Sequence, residues 1–211
     1  MLTEDSAFIG PVPGTMHQVL AAIGLSHLSH FLSVLSLYGL TKSIFGKDKG
    51  EVNSFYFLAA AFHIICPAGA FLAAPYGESV FSFLNFTGFY VYSSALRGDH
   101  GGYSLGRDLK FLVAGCIFAA ATTVRSNGIL SGVLFAYDAL LALMNTALYG
   151  ISFVVLRRLF FIVLGGTLIA VGFIGPQYMA YTRYCLSTPV PRDWCRKTVP
   201  SIYTWVQSHY W

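Results

Sequence analysis

The sequence predicts an all-α protein, a polytopic membrane bundle of about six helices that forms a single domain over residues 1–211. Three observations predict it. Only 10% of the residues are charged and 55% are hydrophobic, whereas a soluble globular chain carries about 25% charge. The apolar residues fall in continuous runs near the length of about 20 residues that a spanning helix needs, without the alternation of a transmembrane barrel. Lys and Arg sit in the gaps between those runs. A net charge of +4 with no basic stripe excludes a nucleic-acid partner.

The chain opens with MLTEDSAFIGPVPG, which is acidic, rich in Pro and Gly, unlike a signal peptide, and reads as the interior of a loop. Membrane helices are expected at 16–41, 55–74, 79–96, 109–124, 129–148 and 159–182, with a tail at 183–211. The first carries His27 and His30 and gives way to a stretch with Lys42, Lys47 and Lys49. The second is expected to stop at Pro75, because proline disfavours helix at the preceding residue and lacks an amide donor. The third follows the polar stretch PYGES and ends at RGDHGGYSLGRD, a flexible linker without the features of a phosphate-binding loop. The fourth and fifth flank RSNG, where Asn127 and Gly128 suit a left-handed turn. The sixth follows a linker bearing Arg157 and Arg158, and its Gly165, Gly166 and Gly172 permit close helix contact.

Six spans set a parity that charge tests. With the 42–51 loop in the cytosol, 97–110 and 149–158 are cytosolic too. These gaps hold Lys42, Lys47, Lys49, Arg97, Arg107, Lys110, Arg157 and Arg158. The opposite gaps, PYGES and RSNG, are poor in basic residues, as the positive-inside bias requires; the tail, with Arg183, Arg192, Arg196 and Lys197, is the exception on that side. Cys66 and Cys116 lie in apolar runs and read as buried. Cys185 and Cys195 share the non-cytosolic tail and are expected to pair in an oxidising lumen; the alternative is two free thiols.

Three polar stretches thus gather at one face: PYGES, RSNG and the tail. A guanidinium in hydrocarbon costs about 2.5–3.5 kcal/mol on insertion scales, so Arg125 belongs at a membrane edge or in a polar cavity. Glu78 joins it at this face, either as a structural ion pair or as part of a site in which Arg125 binds phosphate through its planar fork. His27 and His30, and His63, read as satisfied membrane histidines rather than ligands, and Asp138 as a charge packed against another helix. The NFT at Asn85 matches a glycosylation sequon but falls inside an apolar run. The tail aromatics Trp194, Tyr203, Trp205, Tyr210 and Trp211 suit an interfacial surface, with a sugar-stacking platform as the alternative.

The segments HIICPAGAFLAAPYGESVFSFLNFTGFY, ATTVRSNGILSG and YC…PRDWC…PSIYTWVQSHYW, in that order and spacing, resemble the GPI mannosyltransferase 2 family, most closely its fungal members. The resemblance runs from about His17 to the end. It implies a multi-span glycosyltransferase of the GT-C type in the endoplasmic-reticulum membrane. Such an enzyme transfers the second mannose, in α-1,6 linkage, from dolichol-phosphate-mannose to the GPI precursor on the luminal side. It implies membrane lipids, a dolichol-linked donor, a GPI lipid acceptor and a small membrane accessory subunit as partners, and no cofactor, with the need for a metal left open. On this view Arg125, Ser126 and Asn127 contact the donor phosphate, and Tyr76 and Glu78 line the cavity. The competing readings are a lipid or small-molecule transporter, for which no internal repeat is visible, and a non-catalytic membrane scaffold.

The sequence departs from the family at both ends: it closes at QSHYW where family members continue through further helices, and its start differs as well. Family members resemble one another in an acidic residue in a Trp-Asp context on a first luminal loop. No Trp-Asp pair occurs here, and TEDSAF, with Glu4 and Asp5, does not match. The expectation is therefore that this chain is an internal piece of a longer enzyme and that, expressed alone, it does not restore GPI synthesis in cells lacking the enzyme. Rescue by the 211-residue chain would refute this.

Overall fold

The computed structural model describes residues 15–46, 53–66, 69–97, 105–188 and 192–210. Glu4, Asp5, Lys47, Lys49, the centre of the Gly-rich linker and Trp211 lie outside them. The described chain is helical: α1 (Thr15–Phe45), α2 (Asn53–Ile64), α3 (Gly69–Ala73), α4 (Glu78–Arg97), α5 (Leu105–Val124), α6 (Gly132–Tyr149), α7 (Phe153–Tyr181) and α8 (Ile202–Tyr210). Among the described residues three helical stretches are long and apolar enough to cross a membrane: Met16–Phe45, Ser126–Tyr149 and Phe153–Leu186. Most of each faces outward, and large side chains such as Leu28, Phe31, Leu140 and Val171 are exposed. A bundle in lipid presents such faces, since acyl chains solvate them as well as a protein core does.

Several expected boundaries move. The segment 55–74 is divided between α2 and α3, so the first of these helices stops at Ile64, well before Pro75. The helix expected from 159 begins at Phe153, so Arg157 and Arg158 lie inside α7. Likewise α5 begins at Leu105 and takes in Arg107 and Asp108. Arg is a good helix former, and these charges find partners across helices. Arg125 is followed by a 3-10 turn, Ser126–Ser131, that runs straight into α6. Among the described residues the glycine with positive φ is Gly150, at 86°. Gly128 is buried for another reason: a Cβ there would stand 2.7 Å from the backbone of Thr122. Cys66 is half-buried and Cys116 exposed on the outer face of α5, so neither is a core thiol.

Contacts fix the direction of each helix. Tyr38 meets Tyr56 and His30 meets His63, so α1 and α2 are antiparallel. Hydroxyl pairs Ser36–Thr87 at 2.9 Å and Ser43–Ser93 at 2.8 Å set α1 parallel to α4. Phe89 on Phe118 and Tyr92 on Phe111 make α4 and α5 antiparallel. The starts of α4 and α6 and the ends of α5 and α7 therefore share one end of the bundle. Lys42, Arg97, Arg107, Lys110, Arg157 and Arg158 gather at the other.

The core is the packing of α5 on α4, α6 and α7, built from Tyr92, Phe111, Phe118, Phe135, Ile162 and Ile169. Its rings meet edge-on, as at Phe118–Phe135, tilted by 89°, an arrangement worth about 0.5–1.5 kcal/mol per pair beyond burial. Glycines make the approach possible. A Cβ on Gly115 would lie 2.7 Å from the Cα of Gly165, and one on Gly88 2.6 Å from the ring of Phe118. Helices in lipid associate through such packing rather than through a hydrophobic force. Gly115→Ala should thus lower stability by about 1–3 kcal/mol, seen as a lower Tm in detergent. Gly24→Ala, where nothing lies within 4 Å, should leave Tm unchanged.

Candidate functional site

The antiparallel α4–α5 pair brings Glu78, in the first turn of α4, to Arg125, just beyond the end of α5. Arg125 Nη1 donates to Glu78 Oε1 at 2.7 Å. Each charge suits its helix end: a carboxylate is favoured at a helix N-terminus and a cation at a C-terminus. The Arg125 amide still bonds the carbonyl of Ala121 at 2.9 Å, so the side chain is held by the last turn of α5. Its guanidinium also lies over the Phe81 ring, 5.9 Å from the centroid. The side chains keep 41% and 31% of their exposure. This pair is accessible, and an accessible pair adds little stability.

The surroundings are packed more tightly than the pair. Ser79 is fully buried and donates to the carbonyl of Leu72 at 2.6 Å, tying α4 to α3. Ser131 donates to Asn85 Oδ1 at 3.0 Å, fastening the 3-10 turn to α4. Ser126 and Asn127 lie on that turn, Ser126 half-buried and Asn127 exposed. Tyr76 is 59% exposed, with its ring 6.5 Å from that of Phe71. Among the described residues no hydrogen bond joins the side chains of Tyr76, Ser126 or Asn127 to the Glu78–Arg125 pair. The structure thus unites two of the five sequence-selected residues directly and places the other three beside them.

The tail belongs to the same end. A π-helical turn, Thr182–Leu186, continues α7, and Cys185 is joined to Cys195 by a disulfide with Cα atoms 5.6 Å apart. Ser201 donates to Gln177 Oε1 at 2.7 Å and Tyr203 packs on Phe173, so α8 folds back along α7. Burial raises the Tyr203 phenol above its ordinary pKa and keeps it neutral. Two pockets open here. One of about 470 Å3 is lined by Met179, Thr182, Arg183, Tyr184 and Ser187. The other, of about 290 Å3, is lined by Tyr184, Arg192, Trp194, Ile202 and Trp205.

Sequence reasoning placed Asp138 against another helix, as the structure has it, but missed the rest of the charge cluster at the opposite end. Asp108 is fully buried, with Arg157 Nε 2.9 Å and Arg107 Nε 4.0 Å from its carboxylate. Asp138 accepts from the Tyr92 hydroxyl and lies 4.0 Å from Arg158. The signal was present in the sequence as an acidic residue near the start of one helix and arginines near the start of another. Recognising it requires knowing that α5 and α7 run parallel. His63 likewise joins Ser33 at 2.9 Å and stands ring to ring with His30, 5.2 Å away. Among the described residues no three His, Cys, Asp or Glu side chains come together as metal ligands.

The family model described as Mannosyltransferase (PIG-V) matches residues 14–211, which include the whole of this end of the bundle. The chain belongs to this family. It is similar to GPI mannosyltransferase 2 of Aspergillus oryzae, 54% identical over 192 residues that cover 91% of this chain and 44% of that protein. The corresponding Aspergillus fumigatus protein is 53% identical over 87% of this chain and 42% of its own length. That of Gibberella zeae is 41% identical over 92% and 44%. The chain therefore spans a little under half the length of these curated relatives. No solved structure matches it significantly.

Exchanging the charges tests whether the Glu78–Arg125 pair serves the fold. Glu78→Gln and Arg125→Gln should each cost less than about 1 kcal/mol of stability, as should the double exchange Glu78→Arg/Arg125→Glu. Thermal unfolding in detergent measures all three.

Proposed function

We propose that this protein is a mannosyltransferase of GPI-anchor synthesis in the endoplasmic-reticulum membrane. It transfers the second mannose, in α-1,6 linkage, from dolichol-phosphate-mannose to the GPI precursor on the luminal side. The observation that carries the reading is the match to the mannosyltransferase family over residues 14–211, with 54% identity to a GPI mannosyltransferase 2. The end bearing Glu78 and Arg125 is then luminal and the basic end cytosolic, in keeping with the positive-inside bias.

The reaction is a displacement at the anomeric carbon. The acceptor hydroxyl oxygen forms the new bond to that carbon, its proton passes to a base, and the bond to dolichyl phosphate breaks with the electron pair leaving on the phosphate. The displacement involves no redox cofactor. The charge that develops on the leaving phosphate needs donors placed in advance. Arg125 meets that need: its fork has five N–H donors, more than one carboxylate oxygen takes up. Glu78 holds the fork by Nη1 and orients it. Ser126 and Asn127, on the adjoining 3-10 turn, supply further polar groups, and Tyr76 lines the approach. The partners are membrane lipids, the dolichol-linked donor, the GPI lipid acceptor and a small membrane accessory subunit.

The Aspergillus oryzae relative carrying residues 14–211 of this chain in place of its own matching segment should restore GPI-anchored surface proteins in cells lacking GPI mannosyltransferase 2, and failure to do so at normal protein level would overturn the assignment. Within the rescuing protein, Arg125→Ala should reduce mannose transfer in isolated membranes by about 10²–10³-fold, as for loss of one oxyanion donor, at unchanged protein level. Arg125→Lys should fall between, because it keeps the charge and loses the fork. Undiminished turnover in Arg125→Ala would remove this residue from the phosphate role.

A further inference from the structure

We infer that the disulfide-closed tail forms a separate saccharide pocket that holds one neutral pyranose ring. The pocket lies between the π-helical turn, the 3-10 turn Asp193–Arg196 and α8, and is lined by Tyr184, Arg192, Trp194, Ile202 and Trp205. It shares no lining residue with the Glu78–Arg125 pair.

Three features of the pocket choose the ligand. Its walls are aromatic: Trp194 is 2% exposed and forms a fixed wall, and Trp205, stacked on His209 with centroids 4.5 Å apart, is braced from behind. The polar group at its edge is Arg192, exposed and poised over the Tyr184 ring at 5.7 Å, with no ion pair among the described residues. A pyranose has apolar C–H faces and a rim of hydroxyls, so it matches flat aromatic faces bordered by N–H donors. An acyl chain would make no use of the Arg192 N–H donors, and a phosphate would leave the aromatic walls unused. The volume of about 290 Å3 lies at the lower edge of the roughly 300–1,000 Å3 usual for small-molecule sites. It has room for a single ring.

The fold also prepares this pocket. The Cys185–Cys195 bond ties the π-helical turn to the 3-10 turn, and Ser201 on Gln177 ties the start of α8 to α7. Walls fixed in this way lose little freedom when a ligand enters. In the proposed reaction the pocket would steady a sugar of the glycolipid substrate while another part of it reacts. The proposal rests on the mannosyltransferase reading only in its choice of mannose as the sugar.

The test uses the 211-residue chain in lipid nanodiscs, free of sugar-based detergents. Methyl α-mannoside is titrated while tryptophan emission and saturation-transfer NMR are recorded, with inorganic phosphate as a parallel ligand. Saturable binding of the mannoside is expected. Trp205→Ala should weaken it about tenfold or more, the loss of one stacking face. Trp205→Phe should weaken it less, and Arg192→Ala should weaken it without removing it. Phe160→Ala, exposed on α7, should have no effect. A Cys185–Cys195 disulfide intact by mass spectrometry shows that each variant has folded its tail. Absence of saturable mannoside binding, binding that survives Trp205→Ala, or saturable binding of phosphate alone would each overturn the proposal. Failure here together with rescue of GPI synthesis would count against this pocket alone. Binding without rescue would count against the enzyme assignment alone.

Discussion

The whole end that bears Glu78 and Arg125 depends on how closely α5 can approach its neighbours. Gly115 meets Gly165 backbone to backbone, Gly172 faces Ala119, and Gly88 takes the ring of Phe118. In lipid no hydrophobic force pushes helices together, so contact must come from dispersion at short range and from polar pairs. Small residues at these points let the core rings interlock, and that packing sets the ends of α4 and α5 beside each other. The Glu78–Arg125 contact follows from this approach and contributes little to it. A half-exposed ion pair supplies less than about 1 kcal/mol, whereas displacing a glycine backbone contact costs more.

The polar groups divide by their surroundings. Asp108, Arg157, Asp138 and Tyr92 lie within the bundle or at its basic end, and the two carboxylates there are 0% and 7% exposed. Buried charges of this kind persist only when paired, because one left alone carries its whole desolvation cost. Glu78 and Arg125 keep contact with their surroundings, and a ligand can share their hydrogen bonds. The same cation–carboxylate chemistry thus joins helices at one end and stays accessible at the other.

Arg125 and Glu78 were legible in the sequence because a charge beside an apolar run has few places to go. Their meeting across 47 positions was not, since it depends on α4 and α5 being antiparallel neighbours. RSNG shows how a local rule can fail. Its glycine suits a left-handed turn, yet the chain forms a 3-10 turn, and Gly128 is needed because Thr122 leaves no room for a side chain. Arg157 and Arg158 show a second failure. Charges between apolar runs read as a linker, yet they extend α7 because acidic partners on α5 and α6 receive them. The tail shows a third: Trp194 and Trp205 read as a general interfacial surface, and folding gathers both around one pocket.

By itself the sequence determined that this is a helical membrane protein, which gaps are basic, where Pro and Gly interrupt the runs, and, through motifs in a fixed order, the family. These properties follow from composition and local order along one chain. Only the tertiary structure decided which helices run parallel, that 55–74 is broken in two, that Asp108 has an arginine beside it, and that Arg125 leans on Glu78 while the tail aromatics surround a pocket. Apolar helix faces in lipid carry almost no pattern that tells one neighbour from another. The choice is made by glycine contacts and polar pairs that exist only once the helices have met.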